Sequence, residues 1–188
     1  MDHDGQTNQG MPLDTRTEER ILNGIVRLGR WVALPGDVAL AGYAGGGYRY
    51  WKRDIRGTAG VGGLDERDRW PYAALGLSAR HRLGRGQLTL DLRLLHPVGG
   101  ELDVDFGGAF DRAKLDLEGE LGGRIALVWS QPVSGRLRLR LEGWYEHWEL
   151  DRSDTVPLRR GGTVVGTVFE PASDTDSVGV SVGVGFGE

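Results

Sequence analysis

Residues 112–130 read RAKLDLEGELGGRIALVWS, and taken two at a time they separate into two chemically opposite faces. Leu115, Leu117, Leu121, Ile125, Leu127 and Trp129 fall on one face, with Gly119 and Gly123 between them. Lys114, Asp116, Glu118, Glu120, Arg124 and Ser130 fall on the other, with Gly122, Ala126 and Val128. Strict alternation at period two marks a β-strand with one apolar and one polar side. The stretch is roughly three times the usual strand of about 5–6 residues. Such length suits a barrel that crosses a membrane and projects beyond it better than a small soluble sandwich.

Working outward, six more alternating segments accompany it. They cover about Thr17–Ala33, Val38–Arg53, Tyr72–Leu83, Leu88–Phe106, Arg136–Leu150 and Asp176–Phe186. In the second, Leu40, Tyr48 and Tyr50 oppose Tyr43, Arg49 and Arg53; in the last, five apolar residues alternate with Gly and Ser. The fourth carries an even-numbered apolar face from Leu88 that resumes at Leu102, Val104 and Phe106. Short turns at 34–37, 84–86 and 133–135 alternate with longer polar loops at 54–68, 106–112 and 152–175. Outer-membrane barrels have this asymmetry of periplasmic turns and extracellular loops. Trp129, Tyr48, Tyr50, Tyr145 and Phe186 sit where aromatic girdles belong. The predicted fold is all-β, an antiparallel up-and-down transmembrane β-barrel with about seven long strands, in one domain over 1–188.

Composition narrows the function classes. There is no cysteine, so disulfides and thiolate metal sites are excluded. A net charge of −4, with basic residues interleaved among apolar ones, argues against a nucleic-acid surface. No run reaches the roughly 20 apolar residues of a membrane-spanning helix, which leaves a barrel open. The opening Met1-Asp2-His3-Asp4-Gly5 has neither the basic nor the apolar region of a signal peptide. An outer-membrane protein needs one, so the expectation is an N-terminally incomplete barrel. A soluble lipocalin-like barrel would place the leucines inside. The near-uniform Leu and Val face favours lipid, which demands no jigsaw packing.

Chemistry-bearing motifs are sparse. There is no phosphate loop, metal-ligand His pair or nucleophile motif, and His81, His96 and His147 all fall on the apolar parity. Inward Glu118, Glu120, Arg124, Arg138, Arg140 and Glu142 read as ion pairs filling the lumen. Tyr48-Arg49-Tyr50-Trp51 with Asp54 is echoed by Tyr145-Glu146-His147-Trp148 with Asp151, both entering a long loop with the same parity. Two carboxylate groups stand out, Asp2 with Asp4, and Glu101 with Asp103 and Asp105. Like charges on one strand face cost energy unless a cation or proton is shared. A cation site, an acid/base site and solvated strand ends all remain open readings.

The order of these features resembles the omptins, outer-membrane endopeptidases of Gram-negative bacteria. Asp2-His3-Asp4 looks like the family's Asp-x-Asp pair, Leu40-Ala41-Gly42-Tyr43 its strand entry, and Arg67-x-Arg69-Trp70-Pro71-Tyr72 its basic lead into a strand. Leu141-Glu142-Gly143-Trp144 is similar to a later family strand. The resemblance runs over the whole chain and corresponds to the last seven of ten strands. It implies water activated between catalytic Asp2 and Asp4 on one side and Asp103 and Asp105 on the other. Glu101 would bind a basic substrate side chain, and Arg67 and Arg69 lipopolysaccharide phosphates. Asp105 stands where the family has its general-base His. An ordinary carboxylate, with pKa near ~4, is a weaker base at neutral pH, so the resemblance implies an impaired enzyme. It further implies no cofactor or metal, lipopolysaccharide as activator, and peptide or protein substrates with basic residues. The alternatives are a non-enzymatic outer-membrane barrel, either an adhesin or an envelope-stability protein, and a small pore, which the crowded lumen disfavours.

Overall fold

The computed structural model describes residues 2–6, 12–57 and 62–186, with side chains described for 17–57 and 62–186. Twelve strands and no helix occur among them: β1 (Asp2–Gln6), β2 (Pro12–Leu34), β3 (Val38–Ile55), β4 (Leu64–Leu83), β5 (Gly86–Pro97), β6 (Gly100–Asp105), β7 (Ala113–Leu117), β8 (Gly122–Ser134), β9 (Leu137–Leu150), β10 (Val156–Arg160), β11 (Thr163–Val168) and β12 (Ser173–Phe186). The main sheet is an antiparallel meander, β1-β2-β3-β4-β5-β8-β9-β12, curled into a half-barrel, with β6 and β7 continuing β5 and β8 beyond one rim. The seven long alternating segments of the sequence are its staves. Gly36 and Asp37, Gly84 and Gly135 turn the chain at positive φ. Such turns match the right-handed twist of the strands they join.

Alternation fixes which way each stave faces. On β4, Glu66, Asp68, Trp70, Tyr72, Ala74 and Ser78 are buried on the concave side, while Leu75 and Leu77 are exposed on the convex side. The same division gives a convex face of Leu22, Val26 and Leu28 on β2, Leu90, Leu92 and Leu94 on β5, and Ile125 and Leu127 on β8. Val178 and Val180 on β12 are 82% and 81% exposed. The leucines are therefore not a closed core. This apolar face runs from Leu121, just ahead of β8, to Trp129, from Leu137 to Tyr145 on β9 and from Val178 to Phe186 on β12, nine residues each time, and from Leu88 to Leu94, seven residues, on β5.

Two sequence expectations need correction here. Residues 112–130 are not one strand: they break at 118–121, and the faces reverse across the break. Leu115 and Leu117, expected on the outer face, are buried inward with Leu102 and Val104. The reason is a pair of one-residue insertions at one level of the sheet. Opposite β4, three residues (98–100) stand against two (70–71), and Gly99 takes φ 78°. Opposite β9, residues 120–122 stand against 148–149. A one-residue slip sends every later side chain to the other face. The two strands of the hairpin stay in register with each other, so both rotate together. Glu118 and Glu120 fall in the break and are exposed instead of lining the lumen.

The 152–175 loop holds a hairpin, β10–β11, turned by Gly161 and Gly162 at φ 56° and 82°. The concave side carries two apolar clusters. Trp70, Tyr72, Ala74, Leu95 and Trp148 fill the upper lumen, and Leu102, Val104, Leu115 and Leu117 form a second cluster at the long-loop rim, with Leu150 bordering both. Among the described residues, β12 has no strand on its far side, and β2 has one only along 12–16, where β1 pairs.

Candidate functional site at the long-loop rim

Below the rim the concavity is filled by ion pairs. Arg49, packed against the rings of both Trp70 and Trp148, donates to Glu146 at 2.6 Å, and the Trp148 indole donates to the same carboxylate at 2.7 Å. Arg124 bridges Glu146 to Glu142, and Arg140 joins Glu142. Nearer the short turns, Asp91 accepts from Tyr43, Ser78 and Arg93. Arg124, Arg140 and Glu142 thus do what was expected of them.

The rim differs: there, three carboxylates share one cation. Arg53, inward on β3, lies 3.1 Å from Glu66, 3.4 Å from Asp68 and 3.2 Å from Glu170, which precedes β12. Glu66 and Asp68 are inward on β4 because they continue the parity of Trp70 and Tyr72. They lie in strand paired with β6, not in the loop expected over 54–68. Burial, reinforced by the neighbouring carboxylates and opposed by Arg53, pushes Glu66 up to about 7 and Asp68 up to about 6. Both therefore change charge near neutrality, the range in which a carboxyl can serve as acid or base. Asp68, with Glu66 behind it on the same guanidinium, lines a cleft of about 390 Å³ together with Glu19, Trp51, Arg53 and Glu170. Acidic groups outnumber Arg53 there, so the cleft suits a cationic group. Among the described residues no cluster of His, Cys, Asp and Glu is arranged to hold a metal ion.

Residues 151–172 form a strap beside this cleft. At its foot, Ser153 and Glu170 exchange hydrogen bonds of 3.0 and 2.8 Å. At its tip, Asp111 accepts from the backbone of Gly161 and Gly162 at 2.9 and 2.8 Å, and Arg160 donates to the Ala109 carbonyl. Val156 packs on the rim cluster.

The expected site residues fall differently. The backbone of Asp2 and Asp4 pairs with Arg16 and Asp14, on a hairpin leaving the sheet at the same long-loop end as Asp105; their side chains lie outside the described residues. Glu101, Asp103 and Asp105 stand opposite Arg69, Arg67 and Asp65 and share their convex face, away from the cleft. The Val98–Gly99 insertion is the cause, since it turned Leu102 and Val104 inward instead. These acids are neutralised in place, Glu101 by Lys114 at 3.0 Å, Asp103 by Arg69, and Asp105 by Arg112 at 2.8 Å. The expected upward shift is absent from Glu101 and Asp105. A hydrogen bond from Lys114 holds Glu101 below the usual carboxylate range, and bonds from Arg112 and the Gly107 amide do so for Asp105. Arg69 lies on the outer face directly opposite Tyr50, and Arg67 two residues further toward the rim, opposite Lys52. His81, His96 and His147 point away from the lumen as expected, His147 pairing with Asp176 at 2.8 Å. Sequence reasoning missed Glu66 and Asp68, although counting back by twos from Trp70 reaches both. Arg53 had been placed on the polar face of its strand without a partner, and nothing local marks Glu170.

Comparison with protein-family models and with curated proteins found no match.

Proposed function

We propose that the chain is a bacterial outer-membrane β-barrel whose long-loop cleft receives basic segments of peptides or proteins, as in the omptin endopeptidases it resembles. The observation that carries the membrane reading is the convex apolar face, nine residues tall on three staves and seven on β5. The nine-residue height is that with which a tilted strand crosses a bilayer, about 9–11 residues. The faces exchange at its upper edge: leucines turn inward and Glu101, Asp103, Asp105 and Lys114 turn out. A surface passing from hydrocarbon to water must become polar, and here the exchange makes it so. Arg67 and Arg69, outward just beyond it, suit lipopolysaccharide phosphates.

The acidic cleft supports a cationic substrate group. In the endopeptidase reading, Asp2 and Asp4 supply the water-activating pair from the adjoining hairpin. A second reading, a non-enzymatic adhesin or envelope-stability barrel, is favoured by one observation: Asp103 and Asp105 face away from the cleft, and no described histidine replaces them there.

A fluorogenic Arg-Arg peptide, with the protein in lipopolysaccharide-containing micelles, separates these. The endopeptidase reading expects slow cleavage, cut at least ~10-fold by Asp4→Ala, the scale of an acid/base contribution, and unaltered by Asp103→Ala. Peptide binding without cleavage supports the non-enzymatic barrel. Neither binding nor cleavage removes the basic-peptide reading.

A further inference from the structure

Arg53 connects two parts of the molecule through side chains: the wall of the sheet, through Glu66 and Asp68, and the foot of the strap, through Glu170. The geometry of the joint is unusual. Glu66 Oε2, Asp68 Oδ2 and Arg53 Nε are all buried, lie within 3.1–3.4 Å of an opposite charge, and make no well-aligned hydrogen bond. Attraction here is Coulombic and desolvated, so it responds strongly to any change in charge count.

Glu170 is also the hinge-point of the strap. Its amide and carbonyl are tied to Ser153, so moving its side chain moves the junction of the two strap ends. The strap tip, by contrast, is held away from the wall carboxyls, by Asp111 on the 106–112 loop accepting from the Gly161 and Gly162 amides and by Arg160 donating to the Ala109 carbonyl.

We propose that Arg53, Glu66, Asp68 and Glu170 form a proton-controlled latch that fastens the foot of the strap across the rim cleft in acid and releases it as Glu66 and Asp68 ionise. With both wall carboxyls neutral, they no longer compete with Glu170 for Arg53, which holds it. With both ionised, three carboxylates compete for one guanidinium and Glu170 is repelled. The other charged group that faces the cluster along the cleft is Glu19, on the inward parity of β2; Asp174 and Asp176 border the cleft from the outward parity of β12, where Tyr145 and His147 hold Asp176. Glu19 is acidic, so it does not compensate the repulsion.

The sign follows from the direction of the shifts. Both wall carboxyls are pushed above their ordinary values, Glu66 to about 7 and Asp68 to about 6, with burial the first cause. Each then keeps its proton below that pH and loses it above. The fastened state belongs to acidic pH, and release falls between about 6 and 7. The latch is independent of whether the cleft cleaves anything.

The chain has no cysteine, so two labels can be introduced cleanly. With spin labels at Arg20→Cys on the β2 wall and Thr167→Cys on the strap, electron–electron distances are measured in micelles at pH 5.5 and 8.5. The expected result is a narrow distribution at pH 5.5 that broadens or lengthens at pH 8.5. Glu66→Gln/Asp68→Asn should remain narrow at both values, and Glu170→Gln broad at both. Should the double variant fail to refold, as read by circular dichroism, Glu66→Gln alone is expected to move the transition to a different pH. A parent distribution identical at the two pH values overturns the latch, and so does a pH response that survives loss of the wall carboxyls.

Discussion

Arg49 and Glu146 meet at 2.6 Å, each about 95% or more buried, with the guanidinium against the edge-to-face pair of Trp70 and Trp148. Leaving either alone in that setting strands a desolvated charge, which typically costs about 3–5 kcal/mol. Replacing both with apolar residues of similar size costs less and can be neutral. Glu146→Ala should therefore lower the urea midpoint of the refolded protein far more than Arg49→Met/Glu146→Leu. Equal losses in the two would mean that the pair contributes packing and not charge compensation. The two residues occupy the same place in the echoed motifs Tyr48-Arg49-Tyr50-Trp51 and Tyr145-Glu146-His147-Trp148. The echo was legible and so was its parity. That the two copies touch was not, because strand order around the lumen, and not local pattern, brings β3 opposite β9. Glu66 and Asp68 were equally within reach of the parity rule. They were read as loop because Asp65-Glu66-Arg67-Asp68-Arg69 has no apolar residue to display a strand's alternation, both faces of the rim being polar there.

At the scale of elements, the decisive feature is one residue long. Period-two reading places side chains correctly along β3, β4, β9 and β12 because no insertion interrupts them. It fails beyond Pro97 and Leu117, since an insertion is invisible to a pattern that restarts with the same residue types on the opposite parity. Leu102 and Leu115 look like continuations of Leu94 and Leu121, yet they face the other way. Gly99 marks the spot: at φ 78° it occupies a conformation that other residues enter only at a cost. Deleting Gly99 should remove the insertion, drive Leu102 and Val104 to the outer face and expose Asp103 to the rim cluster. The expected outcome is rapid proteolysis between 100 and 117 while the staves remain protected. Undiminished protection there would mean that the face reversal is set elsewhere in the hairpin. The β10–β11 hairpin was missed for a different reason. Gly161-Gly162 between Arg160 and Thr163 is a two-residue hairpin signal, but the short strands beside it are too polar and irregular to alternate clearly.

The whole molecule is governed by its convex face. A convex face of exposed aliphatics, from Leu22 on β2 to Val184 on β12, would be a liability in water, whereas in hydrocarbon it is the compatible surface. The lumen they surround is closed by ion pairs and by Trp70, Tyr72 and Trp148, which argues against a conducting pore. The fold was legible at this scale because every stave repeats the same rule. The cleft was not, since it arises only where separate staves and the strap converge. Two strand edges, the far sides of β2 and β12, lack partners among the described residues over most of their length, and hydrocarbon cannot satisfy their backbone groups. The central claim is that the convex face lies in lipid. It is tested most directly by single spin labels at Leu77, Leu92, Leu127 and Val180, with Ser78, Asp91 and Asp103 as opposites, in lipid vesicles. Collision with oxygen should exceed collision with a water-soluble nickel chelate at the first four, with a maximum midway along each stave. The order should invert at Ser78, Asp91 and Asp103. Equal access of the nickel chelate to Leu77, Leu127 and Ser78 would contradict the membrane barrel and return the chain to water.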